Sequence, residues 1–146
     1  MNIFYLDENF ELNAQYHCDK HVPKLIVEEA QLLCSVHWMN NSEAPYKLTH
    51  KNHPCSVWVR ESLSNYLWLI DFTKALCKEY TYRYEKRHKT EDIIDWLYEH
   101  LPNIQDIGLT ELPKCMDDVY KRDSVIESYR EYYRRGKAHL HSWKKR

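Results

Sequence analysis

Between Glu11 and Trp38 the apolar positions recur at helical spacing. Val22, Leu25, Leu32 and Val36 form a stripe, with Ile26 and Leu33 beside it, which is the pattern of an amphipathic helix packed on a core. Pro23 interrupts the stripe: it removes a backbone donor and disfavours α geometry at Val22. A kink is expected there, or two helices meeting with Pro23 in the first turn of the second. A second long helix is expected from Cys55 to Tyr84, with Val59, Leu63, Tyr66, Leu67, Ile70, Leu76 and Tyr80 inward. A shorter one is expected over 90–100, capped by Thr90, with acids in its first turn. Asp123 or Ser124 is the expected cap of a last helix reaching Trp143. Residues 39–54 and 101–118 read as loops, and residues 3–6, IFYL, as a short strand or an extended arm. The pattern gives an all-α fold: one compact domain over 1–146, built of three long helices with irregular connecting loops.

Composition narrows this picture. Two glycines in 146 residues disfavour all-β folds and Gly-rich phosphate loops. The five cysteines are odd in number and include no CxxC pair, so a reducing compartment, the cytoplasm, is expected rather than a disulfide framework. The opening MNIFYLDENF has neither a basic region nor a long apolar run, unlike a secretory signal, and no apolar stretch is long enough to span a bilayer. Net charge is −1 but unevenly spread. Residues 121–146 carry nine Lys/Arg against three acids, whereas 91–118 carry eight acids and one Lys. The basic C-terminal end is therefore available for phosphates.

Three features carry candidate chemistry. His17, His21, Lys24, Glu28 and Gln31 follow one another at intervals of four and three, the spacing of one helix face. Imidazole, amine and carboxylate groups on one face suit acid–base or Schiff-base chemistry. The segment THKNHPC, with His50, Asn52 and His53 ahead of Pro54, reads as a phosphate site at a helix start, with Arg60 beyond it. Its plain alternative is a capping loop. EYTYRY at 79–84, with Tyr129, Tyr132 and Tyr133, offers aromatics interleaved with Arg for stacking on bases, or a core with a wet edge. His17 and His21 at i, i+4 spacing, with His50, His53 and Cys55, offer a set of metal-ligand types. There is no HExxH and no cysteine pair at zinc-finger spacing, so the sequence assigns no metal and no cofactor.

Together these residues resemble the pyrimidine-dimer DNA glycosylase (endonuclease V) family of tailed phages, and especially the short phage proteins beside it that carry HCDKH and NHP. The resemblance runs through Glu11-Leu12 and Gln15, through His53, WVRESLSNYLWL and EYTYRYEK, and through Asp106-Ile107, Leu112-Pro113, Asp118, Tyr120, Ser124, SYREYY and Lys137. It implies an endonuclease V-like helical fold, duplex DNA as ligand, and excision of damaged or modified bases with AP-lyase activity. In that chemistry the N-terminal α-amine attacks the sugar C1′, a glutamate assists, and a Schiff base leads to strand cleavage. Counting from Gln15 puts the family's glutamate near Pro23, and the nearest carboxylates are Asp19 and Glu28. Carried onto this chain, the catalytic set is Glu28, Lys24, His21, His17 and Asn2 at the chain start, with Lys24 or Lys20 standing in for the amine. His50, Asn52, His53, Arg60, Lys20 and Arg83 would hold phosphate. Two other readings use the same residues: a phage protein that binds or hydrolyses a free, signalling-type nucleotide, and a non-catalytic interaction protein.

Overall fold

The computed structural model describes residues 2–146, and among these every regular element is helical. In chain order they are α1 (Phe10–Tyr16), α2 (His21–Met39), α3 (Pro54–Glu61), α4 (Leu63–Tyr84), α5 (Glu91–Glu99) and α6 (Val125–Glu131). A 3-10 turn at Asp118–Tyr120 precedes α6. A π-helical turn at Tyr132–Gly136 and a 3-10 turn at Ala138–Leu140 follow it. No helix among the described residues is long and apolar enough to cross a membrane.

Pro23 sits in the first turn of α2, the second of the two arrangements expected from the sequence. The chain breaks between α1 and α2 because His17 turns extended (φ −67°, ψ 132°). The helix expected over 55–84 is likewise divided. Ser62 is extended (φ −154°, ψ 141°), and Asp106 holds the break open by accepting from Ser62 Oγ (3.0 Å) and Ser64 Oγ (2.7 Å). These bonds, with one from the Gly108 amide, hold the Asp106 carboxyl down at about 2. Nothing in the local pattern around Ser62 marks this break, because its partner lies 44 residues away. Ser124 caps α6, accepting from the Glu127 amide at 2.9 Å. Thr90 stands at the start of α5, but its hydroxyl pairs with Tyr46 (2.7 Å) instead of capping. The last expected helix is realised as α6, the π turn and the 3-10 turn, so only α2 and α4 are long.

Residues 3–6 form an extended arm rather than a strand. Ile3, Phe4 and Leu6 are buried in the core with Val22, Ile26, Leu33, Tyr66, Ile70 and Phe72. Burial of three such side chains stabilises the arm by about 1.5–3 kcal/mol each. Its backbone is fixed too: the Leu6 amide donates to Asn13 Oδ1 (2.8 Å) and Arg130 Nε donates to the Leu6 carbonyl (2.6 Å). Residues 3–6 are thereby held against α1 and α6.

Candidate active site

Asn2, at the head of this arm, lines a cleft of about 230 Å3 with His21, Lys24 and Glu28 from α2 and Tyr132 and Lys137 from the π turn and its end. The middle of the sequence stripe thus meets Asn2. The ends of the stripe do not join it. His17 lies in the break before α2, fully buried, with Nδ1 2.7 Å from the Asn13 carbonyl and Nε2 unpartnered. Burial pushes its pKa down to about 3, so it is a neutral core imidazole near neutral pH. The expectation of five residues on one helix face is corrected at His17, because α2 begins only at His21.

His21 is also buried, and burial followed by the charges of Lys137 and Lys24 lowers it to about 4. Its Nδ1 lies 2.9 Å from the Tyr133 hydroxyl, whose oxygen accepts the Cys18 amide at 2.8 Å. The Tyr133 hydroxyl can donate to His21 Nδ1, an arrangement that leaves the imidazole proton on Nε2. Phe4 lies against the imidazole, ring centroids 4.9 Å apart. Lys24 is exposed and Glu28 half-buried.

The two carboxylates nearest the family position are separated by their surroundings. Asp19 is spent on structure. Its Oδ1 accepts from Arg83 at 3.1 Å, and its Oδ2 from the Lys145 amide at 3.2 Å. Glu28 faces the cleft. The adjacent Glu29, not singled out in the sequence, is wholly buried between α2 and α4. It accepts from the Thr73 hydroxyl at 2.9 Å, and burial raises its pKa to about 8.

The residues expected to hold phosphate are dispersed. Arg83 has a fully buried side chain, paired with Glu79 (2.7 Å) and Asp19 and donating to the Gln15 carbonyl (3.0 Å) at the end of α1. It satisfies orphan helix carbonyls and closes the α1–α2 break, with no donor directed outward. Tyr84 joins it by donating to the Asp19 carbonyl at 3.1 Å. The NHP loop is at least in part a cap. His53 Nδ1 accepts the Cys55 amide (3.0 Å) at the start of α3, where Pro54 is the first helical residue. Arg60 donates to the Lys51 carbonyl at 2.6 Å. His50, at φ +50°, pairs with the Thr49 hydroxyl (2.7 Å). His50, Asn52 and Lys20 are exposed, and none of them lines the cleft.

The loop nevertheless reaches the chain start by another route. Asn2 Nδ2 donates to the Cys115 carbonyl at 2.8 Å, and the Cys115 and Cys55 sulfurs are 3.7 Å apart. A second, larger cavity of about 530 Å3 lies on the other side of the π turn. Tyr16, Arg130, Tyr133, Arg134, His141 and Trp143 line it. Tyr132 and Tyr133 therefore serve different cavities. Lys137 and Cys115 were not singled out in the sequence as site residues. Only the first carried any signal, as part of the C-terminal resemblance.

A family model described as pyrimidine dimer DNA glycosylase matches residues 1–92. The chain belongs to this family. The match spans the arm, α1 to α4 and the start of α5, and so includes Asn2, His21, Lys24, Glu28 and His53. Tyr132, Lys137 and Cys115 lie beyond it. No curated protein and no solved structure matches the chain. Membership of the pyrimidine dimer DNA glycosylase family supports a DNA glycosylase-like function at the level of the family, which acts on DNA.

Proposed function

We propose that the cleft between the N-terminal arm, α2 and the π turn is the centre of a DNA glycosylase with AP-lyase activity on damaged or modified bases, in an endonuclease V-like fold. The observation that carries this reading is the meeting of Asn2 and Glu28 in one small basic cleft. The nucleophile is the α-amine at the chain start. It belongs to Met1, which lies outside the described residues, or to Asn2 if Met1 is removed. An α-amine titrates near neutral pH and forms iminium ions, which suits it to this role.

The amine attacks the sugar C1′ as the C1′–N bond breaks, and the departing base keeps the electron pair and gains a proton. The Glu28 carboxylate stabilises the positive charge that develops on the sugar. Ring opening then gives the Schiff base. Loss of a C2′ proton expels the 3′ phosphate, and water releases the amine. Lys24 and Lys137 hold the phosphates flanking the site, and His21 donates through Nε2–H. The cationic and aromatic lining of the larger cavity, with Arg134 and Trp143, suits a base moved out of the stack together with its phosphate.

The experiment is borohydride trapping on duplexes carrying an abasic site, a pyrimidine dimer or other modified bases. A covalent adduct and base release support the reading. Absence of both across the panel overturns it. Strong thermal stabilisation by a mononucleotide or cyclic dinucleotide, without salt-sensitive duplex binding, would turn the same cleft into a nucleotide site.

A further inference from the structure

His53, Cys55 and Cys115 present three donor atoms that all lie within 4.8 Å of one another. No step of the glycosylase reading uses them. Two come from the start of α3 and the third from the loop before α6, so the cluster exists only in the folded chain. Two thiolates on one tetrahedral zinc, each at about 2.3 Å, stand about 3.8 Å apart. The Cys55 and Cys115 sulfurs stand 3.7 Å apart. A hydrogen-bonded thiol pair alone would give that distance; what points to a metal is that the cap brings an imidazole nitrogen within 4.8 Å of both sulfurs, so that three donors converge.

Cys55 lies in the first turn of α3 and Cys115 in the loop that packs against it. Cys55 is buried, whereas Cys115 and His53 are half-buried, which leaves an entry path.

We propose that His53, Cys55 and Cys115 form a Cys2His site for a soft divalent cation, zinc foremost, with its fourth position open to water or ligand. Three protein ligands with one open position is the pattern of a zinc site that can bind a further group. His53 Nδ1 already holds a lone pair, because it accepts the Cys55 amide. Binding through Nδ1 trades that cap bond for a metal bond. The ion ties residues 113–116 to α3. Through the Asn2–Cys115 hydrogen bond it also fixes the head of the arm.

The test uses the full chain, purified under reductant, stripped with chelator, and then given Zn2+ or Co2+ alone. One equivalent binds per chain, and Co2+ produces a thiolate-to-metal charge-transfer band. Cys115→Ser and His53→Ala lose both signals while the helical circular dichroism is unchanged, and Cys34→Ala, a core thiol away from the cluster, keeps both. No stoichiometric binding to the parent chain overturns the proposal, as does binding that survives Cys115→Ser. A Cys55–Cys115 disulfide persisting under reductant, seen as the loss of two hydrogens in the intact mass, overturns it equally. None of these outcomes depends on glycosylase activity.

Discussion

The Tyr133 hydroxyl lies 2.9 Å from His21 Nδ1, joining residues 112 positions apart. It fastens the first turn of α2 to the π turn, and with it the two walls of the cleft. Tyr133→Phe removes the partner of both His21 Nδ1 and the Cys18 amide, two buried groups. Leaving such a group unpaired costs about 1–3 kcal/mol, so the two together cost roughly 2–6 kcal/mol. Urea unfolding will show a loss in that range. A loss below about 0.5 kcal/mol would mean that the hydroxyl is replaceable.

Glu28 and Glu29 are neighbours with opposite environments, and pH separates them. Burial lifts Glu29 from 4.5 to about 8. Its contribution to stability is fully present below pH 4.5 and is lost as pH rises through 8. Glu29→Gln keeps the Thr73 bond without the ionisation. Between pH 4.5 and 8 the variant should gain roughly 3–5 kcal/mol on the parent chain in denaturant titrations. A constant difference would show that Glu29 is not held protonated. His17 and His21 act on the other side, being depressed to about 3 and about 4. Their contribution is present above pH 6.5 and is lost as pH falls through those values.

For Glu28 the expectation is kinetic. Glu28→Gln at a half-buried cleft position should leave the unfolding midpoint nearly unchanged and lower base release by about 10²–10³-fold. Asp19→Asn should behave in reverse. It weakens the Arg83 network that holds the α1–α2 break, and acts mainly on stability. If Asp19→Asn abolished base release in a fully folded chain, the two carboxylates would have to exchange roles.

Much of this arrangement was legible in the sequence, for reasons that differ by residue. The two long helices follow from apolar spacing, and the place of Pro23 in the first turn of α2 follows from its fixed φ and missing donor. His21, Lys24 and Glu28 share a face because their spacing matches the helical repeat. His17 falls off this face because the helical repeat is interrupted by a break set by tertiary contacts, among them Arg83 on the Ala14 and Gln15 carbonyls of α1. Arg83 itself looked like a phosphate ligand because a lone arginine among tyrosines gives no sign of the two carboxylates and the helix end it serves. The division at Ser62 and the cluster of Cys115 with His53 and Cys55 depend on partners 44 and 60 residues away. No local pattern shows such pairings.

Duplex binding should be electrostatic around the cleft. Each phosphate contact contributes a slope of about 0.9 to the fall of log K with log salt. Lys24→Ala and Lys137→Ala should each lower that slope by about one, with little change in stability. Lys145→Ala, outside the cleft lining, serves as the reference. Equal slopes in all three variants would place the DNA elsewhere.

The most direct measurement is borohydride trapping of the full chain on an abasic duplex, followed by mass mapping of the adduct. The adduct is expected on the peptide that carries the chain start, and Glu28→Gln should reduce its yield where a glycosidic bond must first be broken. An adduct on Lys24 or Lys137 would overturn the assignment of the nucleophile. No adduct on abasic or dimer-containing DNA would contradict the assignment of this cleft as the catalytic centre.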